Sequence, residues 1–224
     1  MFARGELDAV VSELGEAVHA PGGQTATNYF MLGEAHRLLG VSKQALDNYR
    51  QALLLPGDDG VTKGAIYFSR GLCFMSLEEW VAAAEQFESI PNPKPPEALV
   101  SAGTCSRFMG DGNRALQLFD DAIKLNGAYS HARVCRAELR EAMGERARAA
   151  QDYTQILIND AHFTAPYLRQ AYIALHEGRA SEACMLCDSL LKLLQHAPAS
   201  APDYAFFLEQ RQQLQELRRQ SAKQ

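Results

Sequence analysis

The sequence predicts an all-α fold, a solenoid of about five helical hairpins with an extra helix before them and a capping helix after them. Three observations carry that prediction. Alanines recur at Ala45, Ala83, Ala115, Ala149 and Ala183, with gaps of 38, 32, 34 and 34 residues, and one helical turn after each stands Tyr49, Phe87, Phe119, Tyr153 or Cys187. Twelve residues before each alanine is a second small residue, Gly33, Gly71, Gly103, Ala137 or Ala171. Turn-forming residues break the chain between these two sets, so each repeat holds two helices. A hairpin whose helices cross closely needs a small residue at the crossing and large ones beside it.

The elements follow in order. Leu7, Val10, Val11, Leu14 and Val18 lie at helical spacing, so residues 6–19 read as an amphipathic helix resembling the second half of a hairpin. Leu39-Gly40, Met109-Gly110-Asp111-Gly112, Met143-Gly144-Glu145 and Glu177-Gly178-Arg179 end the first helix of four hairpins, and Leu77-Glu78-Glu79-Trp80 takes that place in the second. Between hairpins the chain turns at Pro56-Gly57-Asp58-Asp59-Gly60, Pro91-Asn92-Pro93-Lys94-Pro95-Pro96, Asn126-Gly127 and Asn159-Asp160. After Ala197-Pro198 and Pro202, a last segment carries Tyr204, Phe207, Leu208, Leu214 and Leu217 opposite many Gln, Arg and Glu, the polar cap that a repeat array needs at its end. The predicted organisation is one domain over 1–224, with an N-terminal helix in 1–22, five hairpins in 25–197 and a cap in 202–224. About twelve helices and no strand are expected.

Composition narrows the function. Of 224 residues, 47% are hydrophobic and 22% charged, which is a globular composition. A net charge of -5 offers no basic footprint for nucleic acid. No apolar run approaches the ~20 residues that span a bilayer. Glu6, Asp8, Glu13 and Glu16 stand where a signal peptide would need a basic start and an apolar run, so a cytoplasmic protein with reduced thiols is expected.

The repeat resembles the tetratricopeptide repeat. Hairpin one carries its signature at Tyr29, Leu32, Gly33, Ala45, Tyr49 and Ala52; hairpin two at Tyr67, Gly71, Phe74, Ala83, Phe87 and Pro95; hairpin three at Leu99, Gly103, Ala115, Phe119 and Ala122. Hairpins four and five keep Ala137, Ala149 and Tyr153, and Tyr167, Ala171 and Ala183. The resemblance covers residues 25–197. It implies a right-handed superhelix whose first helices line a concave groove, a non-enzymatic module that holds a partner protein there, and no cofactor.

Carried over from the family, the groove positions are Phe30, Met31, Glu34 and Arg37; Phe68, Ser69, Leu72 and Met75; Val100, Ser101, Thr104 and Arg107; Val134, Cys135, Glu138 and Glu141; and Leu168, Arg169, Tyr172 and Leu175. This set is apolar at both ends with mixed charge between. The partner-binding groove is therefore assigned to Phe30, Met31, Glu34, Phe68, Leu72, Met75, Val100, Thr104, Arg107, Leu168, Arg169 and Tyr172, and a partner helix or extended apolar peptide suits it. The alternatives are a groove filled by the chain's own terminal helices, and a structural subunit that associates with itself or with other helical-repeat proteins in a larger complex. One subclass of the family clamps acidic chaperone tails through cations. The matching positions here, Phe30, Glu34, Ser69, Glu97 and Ser101, supply none, so such a clamp is not expected.

No motif for catalysis or for a cofactor or metal stands out. Cys184-Met185-Leu186-Cys187 has the spacing of half a zinc site, but it falls inside a helix with Cys187 in the aromatic slot, which points to packing. Arg133, Arg136 and Arg140 share one helix face, and pairing with Glu138, Glu141 or Asp152 explains them better than an acidic ligand. Arg136 and Asp152 in particular occupy facing positions, matched in hairpin two by Arg70 and Gln86. The six histidines form no ligand pair, and Glu78-Glu79 and Asp120-Asp121 read as solvated carboxylates. Partner identity lies in none of these features.

Overall fold

A computed structural model describes residues 4–56, 61–159 and 165–195, together with Glu216 and Arg219. Eleven helices and no strand are found among the described residues: α1 (Arg4–His19), α2 (Ala26–Leu38), α3 (Ser42–Leu54), α4 (Lys63–Ser76), α5 (Trp80–Glu88), α6 (Pro96–Phe108), α7 (Gly112–Leu125), α8 (Ser130–Ala142), α9 (Arg146–Asn159), α10 (Ala165–His176) and α11 (Ala180–Gln195). The five expected hairpins are α2/α3, α4/α5, α6/α7, α8/α9 and α10/α11, and α1 is the expected helix before them. The expected cap in 202–224 lies outside the described residues except for Glu216 and Arg219, which are helical and paired one turn apart at 3.5 Å.

Local chemistry sets the helix ends. Thr25 and Thr62 accept hydrogen bonds from the backbone N–H of Asn28 and Ala65, at 3.1 and 3.2 Å, and so cap α2 and α4. Asp111 accepts from Arg114 N–H at 2.9 Å at the start of α7. Pro96 opens α6, where a missing N–H costs nothing.

All five hairpins turn in the same way. Gly40, Gly110, Gly144 and Gly178 sit in the left-handed region, with φ between 74° and 85°. The next residue then donates its N–H to the carbonyl five residues back: Val41 to His36, Asp111 to Ser106, Glu145 to Arg140 and Arg179 to Ala174, at 2.8–2.9 Å. Hairpin two makes the same bond, Glu79 to Phe74 at 2.9 Å, although Glu78 holds the left-handed position with φ 59°.

Chain contacts divide the protein into two compact units, Met1–Leu125 and Asn126–Gln224. In the first unit successive helices pack in order from α1 to α6, α6 packs on α7, and the first helices α2, α4 and α6 touch in turn. In the second, α8 packs on α9, α9 on α10 and α10 on α11. Both units repeat one core motif. All five repeat alanines are 0% exposed, and Tyr49, Phe87, Phe119, Tyr153 and Cys187 are at most 1% exposed. A Cβ added at Gly33, Gly71 or Gly103 would stand 2.5–2.6 Å from the ring of Tyr49, Phe87 or Phe119. These rings lie directly on the glycine backbone. Hairpin four keeps the Tyr153 ring in a core with Ala137, and hairpin five sets Ala171 against the smaller Cys187.

These crossings generate a stability prediction. Gly103→Leu forces a branched side chain into the space of the Phe119 ring, and overpacking of that kind costs roughly 1–3 kcal/mol. Thermal denaturation should show a clearly lowered Tm. An unchanged Tm contradicts the placement.

Candidate functional site

The first helices carry the candidate binding residues, and the structure sorts them. On α4, Phe68, Leu72 and Met75 follow at intervals of four and three, so they share one face. All three are half-buried against the cluster around Phe87 and Cys105. The Phe68 ring meets Phe87 edge-on, with centroids 5.7 Å apart, and leaves part of its surface open. Phe68 also borders a cavity of about 480 Å³ walled mainly by Gly64, Ala65, Ile90, Pro91, Pro93 and Pro95, with Thr62 and Glu97 at its polar side.

Other positions serve the fold. Phe30 lies 5.9 Å from the Tyr49 ring and packs on the hairpin-one core. Met31 is 48% exposed but lies beside Leu7, Val10 and Leu14 of α1. Val100 is a correction. It is only 3% exposed, because α6 is flanked by α4, α5 and α7, so it is a packing residue and lines no surface. Thr104 donates its hydroxyl to the Val100 carbonyl at 2.9 Å. The Arg107 guanidinium stands over the Phe108 ring at 5.2 Å. In the second unit Leu168 is half-buried in the cluster with Ala171 and Cys187, whereas Arg169 and Tyr172 are exposed.

Sequence reasoning missed the role of Glu34. Its carboxylate accepts the Tyr49 hydroxyl at 2.5 Å and the Arg37 guanidinium at 2.7 Å. Burial pushes the Glu34 carboxyl up, but hydrogen bonds from Arg37, Ser69 and Tyr49 outweigh it and hold the group below its usual range. Tyr153 repeats the arrangement by donating to Glu141 at 2.6 Å. Burial, then the facing carboxylate, pushes both phenols well above the ordinary tyrosine range. The signal was present in the pattern: a groove-position glutamate accompanies each tyrosine in the slot, and hairpins with phenylalanine there have Leu72 and Met75, or Thr104 and Arg107, instead. These glutamates satisfy buried hydroxyls.

The expected ion pair is present. Arg136 donates through Nε to Asp152 at 3.0 Å and through Nη2 to the other oxygen, and Arg140 adds a bond of 2.7 Å to the same carboxylate. Asp152 is 3% exposed, so one carboxylate holds two largely buried guanidiniums between α8 and α9. Arg133 departs from the expectation of a carboxylate partner and donates to the Gly127 carbonyl at 3.1 Å. In hairpin two the matching Arg70 instead stacks on Phe74 at 5.9 Å, and its Nε and the Gln86 Oε1 are buried without a hydrogen-bond partner. Burial, aided by the charge of Arg50, lowers the Arg70 pKa.

All five cysteines are free. Cys187 is fully buried in the core slot of α11, as its position in the repeat implied, and Cys184 one turn earlier is partly exposed. Burial pushes the Cys73 and Cys105 thiols up to about 11, which makes them poor nucleophiles at neutral pH.

Comparison with known proteins supports the fold. No family model matches the chain, and no curated protein matches it in sequence. Among solved structures, MamA is similar with TM-score 0.66 and 20% identity over 80% of this chain and 100% of that one. YrrB, described as a TPR protein with an unusual peptide-binding site, superposes with TM-score 0.61 at 16% identity over 90% of this chain and 99% of that one. A chain of the APC/C hetero-tetramer Cut9-Hcn1 gives TM-score 0.65 at 14% identity, with 97% of this chain covering 40% of its length. The fold is that of the tetratricopeptide-repeat proteins. Among the described residues no helix is long and apolar enough to cross a membrane.

Asp152→Ala strands two buried guanidiniums, and breaking such a pair costs roughly 3–5 kcal/mol. Removing the exposed partner of Lys124 by Asp121→Ala should cost about 0–1 kcal/mol. Urea denaturation of the two variants compares them, and equal losses contradict the reading.

Proposed function

We propose that the protein is a non-enzymatic adaptor or assembly scaffold of the cytoplasm that holds a partner's helix or extended apolar peptide against its first-helix faces. The observation that carries this reading is the line of Phe68, Leu72 and Met75 on α4, three large apolar side chains left half-open, with Phe68 beside the cavity at Ile90 and Pro91. Large apolar side chains at a rigid concave surface are the usual anchors of peptide recognition. Exposed Tyr172, with half-buried Leu168, offers a smaller set of the same chemistry in the second unit. Support also comes from the charges: Glu34 and Glu141 are engaged by buried tyrosines, which removes two groove carboxylates that would otherwise oppose an apolar segment. YrrB, of the same fold, is described as having a peptide-binding site.

A second reading, self-association with another copy or with other repeat proteins, draws on the α1/α2 seam. There Val10, Met31 and Leu38 remain exposed around an almost wholly apolar hollow of about 210 Å³. Sedimentation over a range of concentrations separates it from the adaptor reading, since self-association raises the mass with concentration and an adaptor stays monomeric.

The test of the adaptor reading compares binding with folding. Once a partner is captured by affinity purification, Phe68→Ala or Tyr172→Ala should weaken its binding by ~2 kcal/mol or more, the range of interface hot spots. Each should cost the fold less than Phe119→Ala, expected at ~3–5 kcal/mol. Calorimetric titration reads the first effect and thermal denaturation the second. Unchanged capture with a collapsed fold contradicts the proposal.

A further inference from the structure

Hairpins two and three carry a second surface that shares no residue with the Phe68 cavity. Trp80, the first residue of α5 and the chain's only tryptophan, stacks on Phe108 at the end of α6, with ring centroids 4.2 Å apart and planes 8° from parallel. Stacked aromatics of this kind normally lie inside a core. Here Phe108 is 53% exposed, and Val81 and Met109 beside the stack are 63% and 43% exposed. Trp80, Val81 and Met109 line an open hollow of about 460 Å³ whose remaining walls are Ala82 and the carboxyl-bearing Glu78, Glu79 and Glu85.

Charge identifies the occupant. Glu78, Glu79 and Glu85 make no ion pair among the described residues, and Glu79 makes no side-chain cap bond although it holds the N-cap of α5. The Arg107 guanidinium lies over the Phe108 ring at 5.2 Å, a cation–π contact on one ring of the stack. Three carboxylates around an apolar aromatic floor repel acidic segments. They attract a cation that can also lay its aliphatic stem on the rings. A purely apolar peptide would leave these carboxylates desolvated without partners, which is unfavourable.

We propose that the Trp80–Phe108 stack, with Val81, Met109 and the carboxylates of Glu78, Glu79 and Glu85, is a docking surface for a partner segment bearing lysine or arginine between apolar residues. The cation sits among the carboxylates and its apolar neighbours cover Val81 and Met109.

Trp80 is its own reporter. Intrinsic fluorescence of the full chain is titrated with a synthetic peptide of alternating leucine and lysine, and with a control in which glutamate replaces each lysine. The lysine peptide should shift Trp80 emission saturably, the glutamate peptide should not, and raised salt should weaken the response. The variant Glu78→Gln, Glu79→Gln, Glu85→Gln changes only exposed side chains and should weaken binding at least about tenfold, as loss of complementary charge does. Phe68→Ala should leave the titration unchanged, which keeps this result separate from that of the α4 face. No emission change with the lysine peptide, an equal response to the glutamate peptide, or full affinity in the triple variant would overturn the proposal.

Discussion

The structure depends on the contact between a backbone without a side chain and the flat ring laid on it. At Gly33, Gly71 and Gly103 the approach of the facing ring leaves no room for even a methyl group. The glycine is unfavourable inside a helix by about 1 kcal/mol relative to alanine, and the close dispersion contacts and burial of the aromatic side chain offset that loss. The repeat alanine one turn before each ring lets the second helix approach equally closely, and all five are fully buried. Because the two helices meet there, the opposite side of each first helix is left to face outward. The core contact therefore decides which residues can recognise anything.

That coupling limits what the groove positions can do. A tyrosine in the core slot carries a hydroxyl that must be satisfied, and its acceptor comes from a groove position on the neighbouring helix, Glu34 for Tyr49 and Glu141 for Tyr153. Phenylalanine in the slot makes no such demand, and it is in hairpin two, with Phe87, that the first helix is free to present Phe68, Leu72 and Met75. Recognition by apolar area and the identity of the core aromatic are thus linked within one hairpin. The ion cluster at Asp152 is the counterpart between α8 and α9, where two arginines that resemble a ligand site on paper are consumed by one buried carboxylate.

Most of the fold was legible in the sequence because the constraint is local and repeated: small residues at the crossings, rings beside them and glycines with positive φ at the turns all leave marks at fixed spacing. The Arg136–Asp152 pair was legible for the same reason, as two facing positions in one hairpin. The candidate site was legible only as a set of positions. Val100 sits at a groove position of the repeat but is covered, because burial on α6 depends on three neighbouring helices and not on spacing. Glu34 looked like a groove charge because nothing in its own helix shows the phenol fifteen residues further on. The stacking of Trp80 on Phe108 joins two hairpins, a contact that no pattern within a single repeat encodes.

In hairpins one to three the glycine at the crossing and the ring in the slot are one coupled choice, whereas hairpin four accommodates Ala137 beside Tyr153. A double-mutant cycle on Gly103→Ala and Phe119→Cys, which copies the Ala171 and Cys187 pair of hairpin five into hairpin three, tests that coupling by equilibrium unfolding. The added methyl should harm the protein when Phe119 is present and help it when cysteine leaves a void, with a coupling energy of about 0.5–3 kcal/mol, as for residues in direct contact. Effects of the two substitutions that simply add, within about 0.5 kcal/mol, would contradict the claim.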